Sequence, residues 1–169
     1  MLGLLLVITS GLKRAAIMFN PDIGAPVALF MPSLETAARS LKVEPIIAPV
    51  HSDVEIETAI TALGREPAGG LVVMPDAFTG THRAPIISAA ARNNIPAVYS
   101  LSASARDGGL LSYGVDLADL FRRAGTYVDR ILRGEKPGDL LVQFPVKYER
   151  QGARSHRATI DTAARRRGD

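Results

Sequence analysis

The chain contains no cysteine and no tryptophan. The first absence excludes a disulfide scaffold, a thiolate metal site and a cysteine nucleophile, and it leaves the compartment open. Only nine residues are aromatic, four Tyr and five Phe. Histidine is scarce as well. His51, His82 and His156 stand far apart without ligand-like spacing, so no metal is expected. No run of about 18 apolar residues exists, so no membrane-spanning helix is expected. The opening Leu2–Ile8 is apolar but short. It has no basic segment before it and no convincing cleavage site after it, and reads as a buried helix end or strand rather than a signal peptide.

Hydrophobic residues make up 47% of the 169 residues and charged residues 22%, ordinary values for a globular chain of one domain. The net charge of +3 is unevenly placed. From Lys147 to Asp169 there are seven basic and three acidic residues, a net of +4, which leaves 13 basic and 14 acidic residues in the first 146. The body is neutral and the basicity belongs to the tail. Such a tail can attract nucleic acid or anionic lipid, but it reads first as a solvated end, and no nucleic-acid partner is expected.

Short apolar runs alternate with helical periods. Strands are expected at 14–19, 45–50, 69–74, 95–100 and 110–114, with a further strand-like run at 139–145. Pro45 and Pro49 suit an edge strand, because proline cannot donate to a ladder. Helix faces are marked by Phe30, Leu34, Ala37, Ala38 and Leu41, with Pro32 opening or kinking that helix. Others follow by Ile56, Ile60 and Leu63 behind an Asp53 cap, by Ile86, Ile87, Ala90 and Ala91, and by the stripe from Leu117 to Leu132 behind an Asp116 cap. Gly134 and Pro137 end the last helix. Residues 102–109 read as a loop or short helix. Strands alternating with helices imply an α/β fold, a three-layer α/β/α sandwich around a parallel, flavodoxin-like five-stranded sheet.

In such a sheet a ligand lies beyond the carboxyl ends of the strands. Those ends are 20–22, 51–53, 76–81, 100–104 and 113–116. No GxGxxG or GxxxxGK follows the first strand, so no nucleotide cofactor is expected. A receiver-type site lacks its acidic cluster and its lysine. Ser100, Ser102, Ser104, His82 and Asp76 supply the residue types of a hydrolase, but no GxSxG elbow presents the serine, and turn chemistry explains all of them. Binding of a small molecule asks for less. Asn20, Asp76, Phe78, Thr79, Ser100, Tyr113 and Asp116 are the candidate ligand-binding residues. Asn20 and Asp116 could equally be turn or helix caps, and Tyr113 could be packing.

The segments Gly11–Asp22, Gly69–Asp76, Asn94–Tyr99, Gly108–Gly114 and Asp116–Gly134 resemble, in order, the ABC-transporter substrate-binding proteins of the amino-acid-like type, whose members include tryptophan and tyrosine binders. The resemblance covers most of residues 10–148. It implies a two-lobed periplasmic receptor that closes on its ligand by a hinge, delivers it to a membrane permease and catalyses nothing. The strand-end loops would face the cleft.

This chain departs from the family at both ends. The resemblance implies that residues 1–12 are the remnant of the inter-lobe crossing helix, that 13–146 form one ligand-binding lobe, and that 147–169 are a disordered or aberrant tail. One permitted codon choice for Arg150 to Arg157, read one base later, spells Ala-Lys-Ala-Leu-Gly-Leu-Thr. Such a stretch is typical of the family, so a frameshift is the expected origin of the tail. An unpaired lobe is expected to expose its cleft face and the Leu2–Ile8 segment, and to self-associate through apolar surface. The alternatives are a ligand-sensing domain akin to sugar-responsive repressors, for which no helix-turn-helix is seen, and a small hydrolase.

Overall fold

A computed structural model describes residues 1–23, 26–143 and 148–152. Its elements are α1 (Leu2–Ile8), β1 (Arg14–Phe19), α2 (Pro26–Ser40), β2 (Glu44–Pro49), α3 (Asp53–Gly64), β3 (Gly69–Val73), α4 (Ala77–Thr81), α5 (Arg83–Arg92), β4 (Ala97–Tyr99), α6 (Ser102–Arg106), β5 (Leu111–Val115), α7 (Leu117–Leu132) and β6 (Tyr148–Gly152). A 3-10 turn, Pro137–Asp139, follows α7.

The strand order is β2-β1-β3-β4-β5-β6. The first five strands run parallel in the flavodoxin-like order expected from sequence. β2 lies on the edge, where the missing N–H groups of Pro45 and Pro49 are tolerated. The period of two divides the sheet between two cores. Ala16, Met18, Leu71, Val73, Ala97 and Tyr99 pack with Ile56, Ile60 and Leu63 of α3 and Ile86 of α5. Ala15, Ile17, Phe19, Val72 and Val98 pack on the other face with Leu2 and Leu5 of α1 and Ala38 of α2. β3 is buried along its whole length because helices cover both faces.

Several expectations are corrected. The segment Leu2–Ile8 is not left uncovered: Leu2 and Leu5 are buried in the second core, and Leu4, Leu6 and Ile8 pack against it. Gly70 makes this possible. A Cβ there would come within 2.8 Å of both Leu5 and Leu12, so the bare backbone lets α1 lie close to β3. The cap of α3 is Ser52, whose hydroxyl accepts from the Glu55 N–H at 3.3 Å, and Asp53 is the first helical residue. Pro32 does not open α2 but sits inside it. Because that helix already starts at Pro26, Phe30 lies in its exposed early turns.

The strand-like run at 139–145 forms no strand at 139–143, and 144–145 lie outside the described residues. Its place on the sheet is taken. β6 occupies the open edge of β5 and pairs with it antiparallel, Tyr113 opposite Arg150. Leu141 and Val142 are consequently left in solvent, each 82% exposed. β6 falls within the segment read from sequence as a tail; residues 153–169 lie outside the described residues.

Candidate functional site at the strand ends

Parallel pairing brings the carboxyl ends of β1, β3, β4 and β5 side by side, so Asn20, Asp76, Ser100 and the end of β5 form one row. The first two are joined directly. The Asn20 backbone N–H donates to Asp76 Oδ2 at 3.0 Å, and the Asp22 N–H donates to Asn20 Oδ1 at 2.9 Å. Asp76 Oδ1 accepts the Thr79 N–H at 2.7 Å, the first half of a capping box on α4. The buried Thr79 hydroxyl donates to the Met74 carbonyl at 2.7 Å. Asp76 and Thr79 therefore hold two loops in register. Each oxygen of Asp76 accepts one bond and keeps a further acceptor site.

Phe78 is half-buried and stacks on the His82 ring, with centroids 3.9 Å apart and planes 22° from parallel. His82 Nδ1 lies 2.9 Å from the Phe78 carbonyl, and Nε2 lies 3.8 Å from Asp53. Ser100 is buried and its carbonyl presses on Gly114. A Cβ at Gly114 would lie 1.8 Å from that oxygen, so only glycine allows β5 this close to the end of β4. Tyr113 is not at the strand end but within β5, on the same face as Leu111, and is 37% exposed. Asp116 caps α7 through Oδ1, which accepts the Asp119 N–H at 2.9 Å.

A second cluster at the same end escaped the sequence reading. His51 Nδ1 lies 2.9 Å from Glu55 Oε2, which also accepts the His51 backbone N–H at 2.7 Å, and His51 Nε2 lies 3.5 Å from Asp22. The hydrogen bond to Glu55 chiefly raises the His51 pKa, helped by the charges of Asp22 and Glu55, and lowers that of Glu55. The signal was the i, i+4 spacing of His51 and Glu55 at a strand end. Ile23, before α2, and Leu29 and Phe30, in its early turns, are exposed. The row thus combines polar loops with a stacked aromatic pair, residue types that suit a small-molecule cleft wall. Among the described residues no group of three or more acidic or histidine side chains could hold a metal, and no serine hydroxyl meets His82 as a nucleophile would.

The fold is one α/β lobe, shared with several solved structures. A structure of a conserved domain protein from Vibrio cholerae matches with a TM-score of 0.80 at 19% identity, covering 95% of this chain and 53% of its own. The ABC domain from Streptococcus pneumoniae, solved in complex with L-Trp, matches with a TM-score of 0.78 at 19% identity, covering 98% and 55%. The ligand-free, open form of a substrate binding protein with adhesive properties from Clostridium difficile matches with 0.67 at 19%, covering 95% and 54%. The chain thus spans about half the length of these relatives. No curated protein matches it. The model of the ABC transporter substrate binding protein family matches residues 2–150, and the chain belongs to that family.

Proposed function

We propose that this lobe supplies one wall of a solute-binding cleft of an ABC transport system, binding a small molecule at the carboxyl ends of its strands and passing it to a permease. The observation that carries the reading is the row of Asn20, Asp76, Ser100 and the end of β5 beyond four neighbouring strands, fixed by the bonds of Asp76 to Asn20 and Thr79. The contact groups are the side chains of Asn20, Asp76, Phe78, Ser100 and Tyr113, with Thr79 and Asp116 shaping the loops that carry them. An amino acid is the first ligand class to test, because the similar Streptococcus pneumoniae domain holds L-Trp. The role is binding, without catalysis. The family match favours it over a hydrolase or a repressor-type sensor, and Asp76, the acid a triad would need, is committed to two backbone N–H groups. The setting that fits is periplasmic, and among the described residues no helix is long and apolar enough to cross a membrane.

The test is a thermal-shift screen against amino acids, aromatic ones first, then sugars and nucleotides. Ligand binding to the folded chain raises the midpoint by about RT ln(1 + [L]/Kd). A saturable rise with one class, abolished by Asn20→Ala, supports the reading. A cooperative melt that no ligand moves contradicts binding by this lobe.

A further inference from the structure

We propose that the groove between α5 and the start of β5 binds a small, flat, uncharged molecule through the hydroxyl of Tyr99. The groove lies at the amino ends of β4 and β5, away from the strand-end row and independent of it. Its origin is an uneven set of crossovers. α3 and α5 bridge β2 to β3 and β3 to β4 with 12 and 10 helical residues, whereas α6 bridges β4 to β5 with five. At about 1.5 Å per residue, α6 is roughly 7.5 Å long, too short to run beside α5 along the strands. The flank of α5 that a longer helix would cover is left as a groove of about 370 Å³. That volume falls within the range of about 300–1,000 Å³ for small-molecule sites.

The lining selects the ligand. Ile87, Ala91, Ile95, Pro96 and Leu110 give apolar walls, and no lining residue is charged. The backbone N–H groups of Asn94, Ile95, Gly108 and Gly109 are spent on turn carbonyls. The Tyr99 O–H is not spent. Tyr99 is 2% exposed, yet its hydroxyl has no hydrogen-bond partner among the described residues. Nor is that oxygen sealed in, since among the described residues the sealed and unpaired side-chain atoms are Thr9 Oγ1 and Arg14 Nη2. Tyr99 lines the groove, so its hydroxyl opens there. Gly109 fixes the ring, because a Cβ at that glycine would stand 2.7 Å from Tyr99 Cε2. Burial raises the phenol pKa, so the hydroxyl stays protonated and donates. Phenylalanine would pack the same ring, and an unpaired buried hydroxyl carries a cost that a ligand acceptor would remove. A charged ligand would lose its hydration here without a counter-charge. Zwitterionic amino acids are thereby excluded, and the class that fits is a neutral aromatic compound bearing one carbonyl-type acceptor.

The test is an amide NMR titration of the isotope-labelled full chain with three probes of one size: acetophenone, ethylbenzene without the acceptor, and benzoate with a charge. Acetophenone is expected to give saturable shifts at Asn94, Ile95, Ala97, Gly109 and Leu110, with Asn20 and Asp76 unmoved. Tyr99→Phe is expected to weaken it roughly fivefold, the worth of one hydrogen bond, and ethylbenzene to bind the unmutated chain as weakly. The melting midpoint of Tyr99→Phe is expected not to fall, because the hydroxyl has no internal partner to lose. Ala91→Phe, at an exposed position of α5, is expected to fill the groove and abolish the shifts with the melting curve kept. No saturable shift at these amides with acetophenone would overturn the proposal. So would acetophenone binding indifferent to Tyr99→Phe, equal binding of ethylbenzene or benzoate, or a lowered midpoint in Tyr99→Phe.

Discussion

Replacing Gly114 by alanine perturbs the join between β4 and β5 with a single methyl group. Its Cβ would stand 1.8 Å from the Ser100 carbonyl oxygen and 2.9 Å from the carbonyl carbon. Ordinary contact begins at 3.4 Å, so the two backbones must part by more than an ångström. Nothing on the other side is a flexible side chain that could swing away. The β4–β5 ladder is short, pairing Val98 with Leu111 and Tyr99 with Ser112, so parting its end loosens much of it. Overpacking against side chains costs about 1–3 kcal/mol, and a backbone neighbour puts this case at about 3 kcal/mol or above. At roughly 2–4 °C per kcal/mol for a chain of this size, the midpoint is expected to fall by about 6–12 °C. Circular dichroism melts of the unmutated chain, Gly114→Ala and Gly3→Ala measure it. Gly3 lies in α1 with nothing within 4 Å of a Cβ, so its alanine variant is expected to gain about 0.5–1 kcal/mol. A Gly114→Ala loss below about 1 kcal/mol would refute the close approach of β5 to Ser100.

Asp76→Ala removes the acceptors of the Asn20 and Thr79 N–H groups and is expected to cost about 2–3 kcal/mol, read as a lower urea midpoint at unchanged slope. A change under about 0.5 kcal/mol would show that Asp76 does not hold the loops. The His51–Glu55 pair sets a pH window. The raised His51 pKa adds stability fully present below its ordinary 6.5 and lost as pH rises through the folded value. The lowered Glu55 pKa adds stability present above its ordinary 4.5 and lost as pH falls through the folded value. Support from the pair is therefore expected to be greatest between those values and to vanish in His51→Ala. An NMR titration placing the His51 imidazole at or below 6.5 would contradict it.

The sheet was legible because its strands announce themselves twice. Runs such as Gly69–Met74 are apolar throughout, and Pro45 and Pro49 mark the edge. The Asp116 cap and the end of α7 at Gly134, with φ 101°, also follow local chemistry that a sequence displays. What could not be read depends on distant partners. The run at 139–145 has a strand's composition, but the β5 edge goes to β6. At the site, the residue types at the strand ends were visible. That Asp76 reaches the Asn20 backbone, 56 residues away, follows only from the neighbouring positions of β1 and β3. His51, Asp22 and Glu55 meet for a related reason, because β2 lies beside β1 and delivers His51 next to the loop after it.

The central claim is that the strand ends bind a small molecule, and an amide NMR titration tests it most directly. Isotope-labelled chain is titrated with the amino acid that gives the largest thermal shift. The account expects saturable shifts gathered at Asn20, Asp76 to Thr79, Ser100 and Tyr113 to Asp116, with the opposite end of the sheet unmoved. Shifts gathered instead in the groove between α5 and the start of β4, about Asn94, Ile95 and Gly109, or no shift with any amino acid, would contradict it.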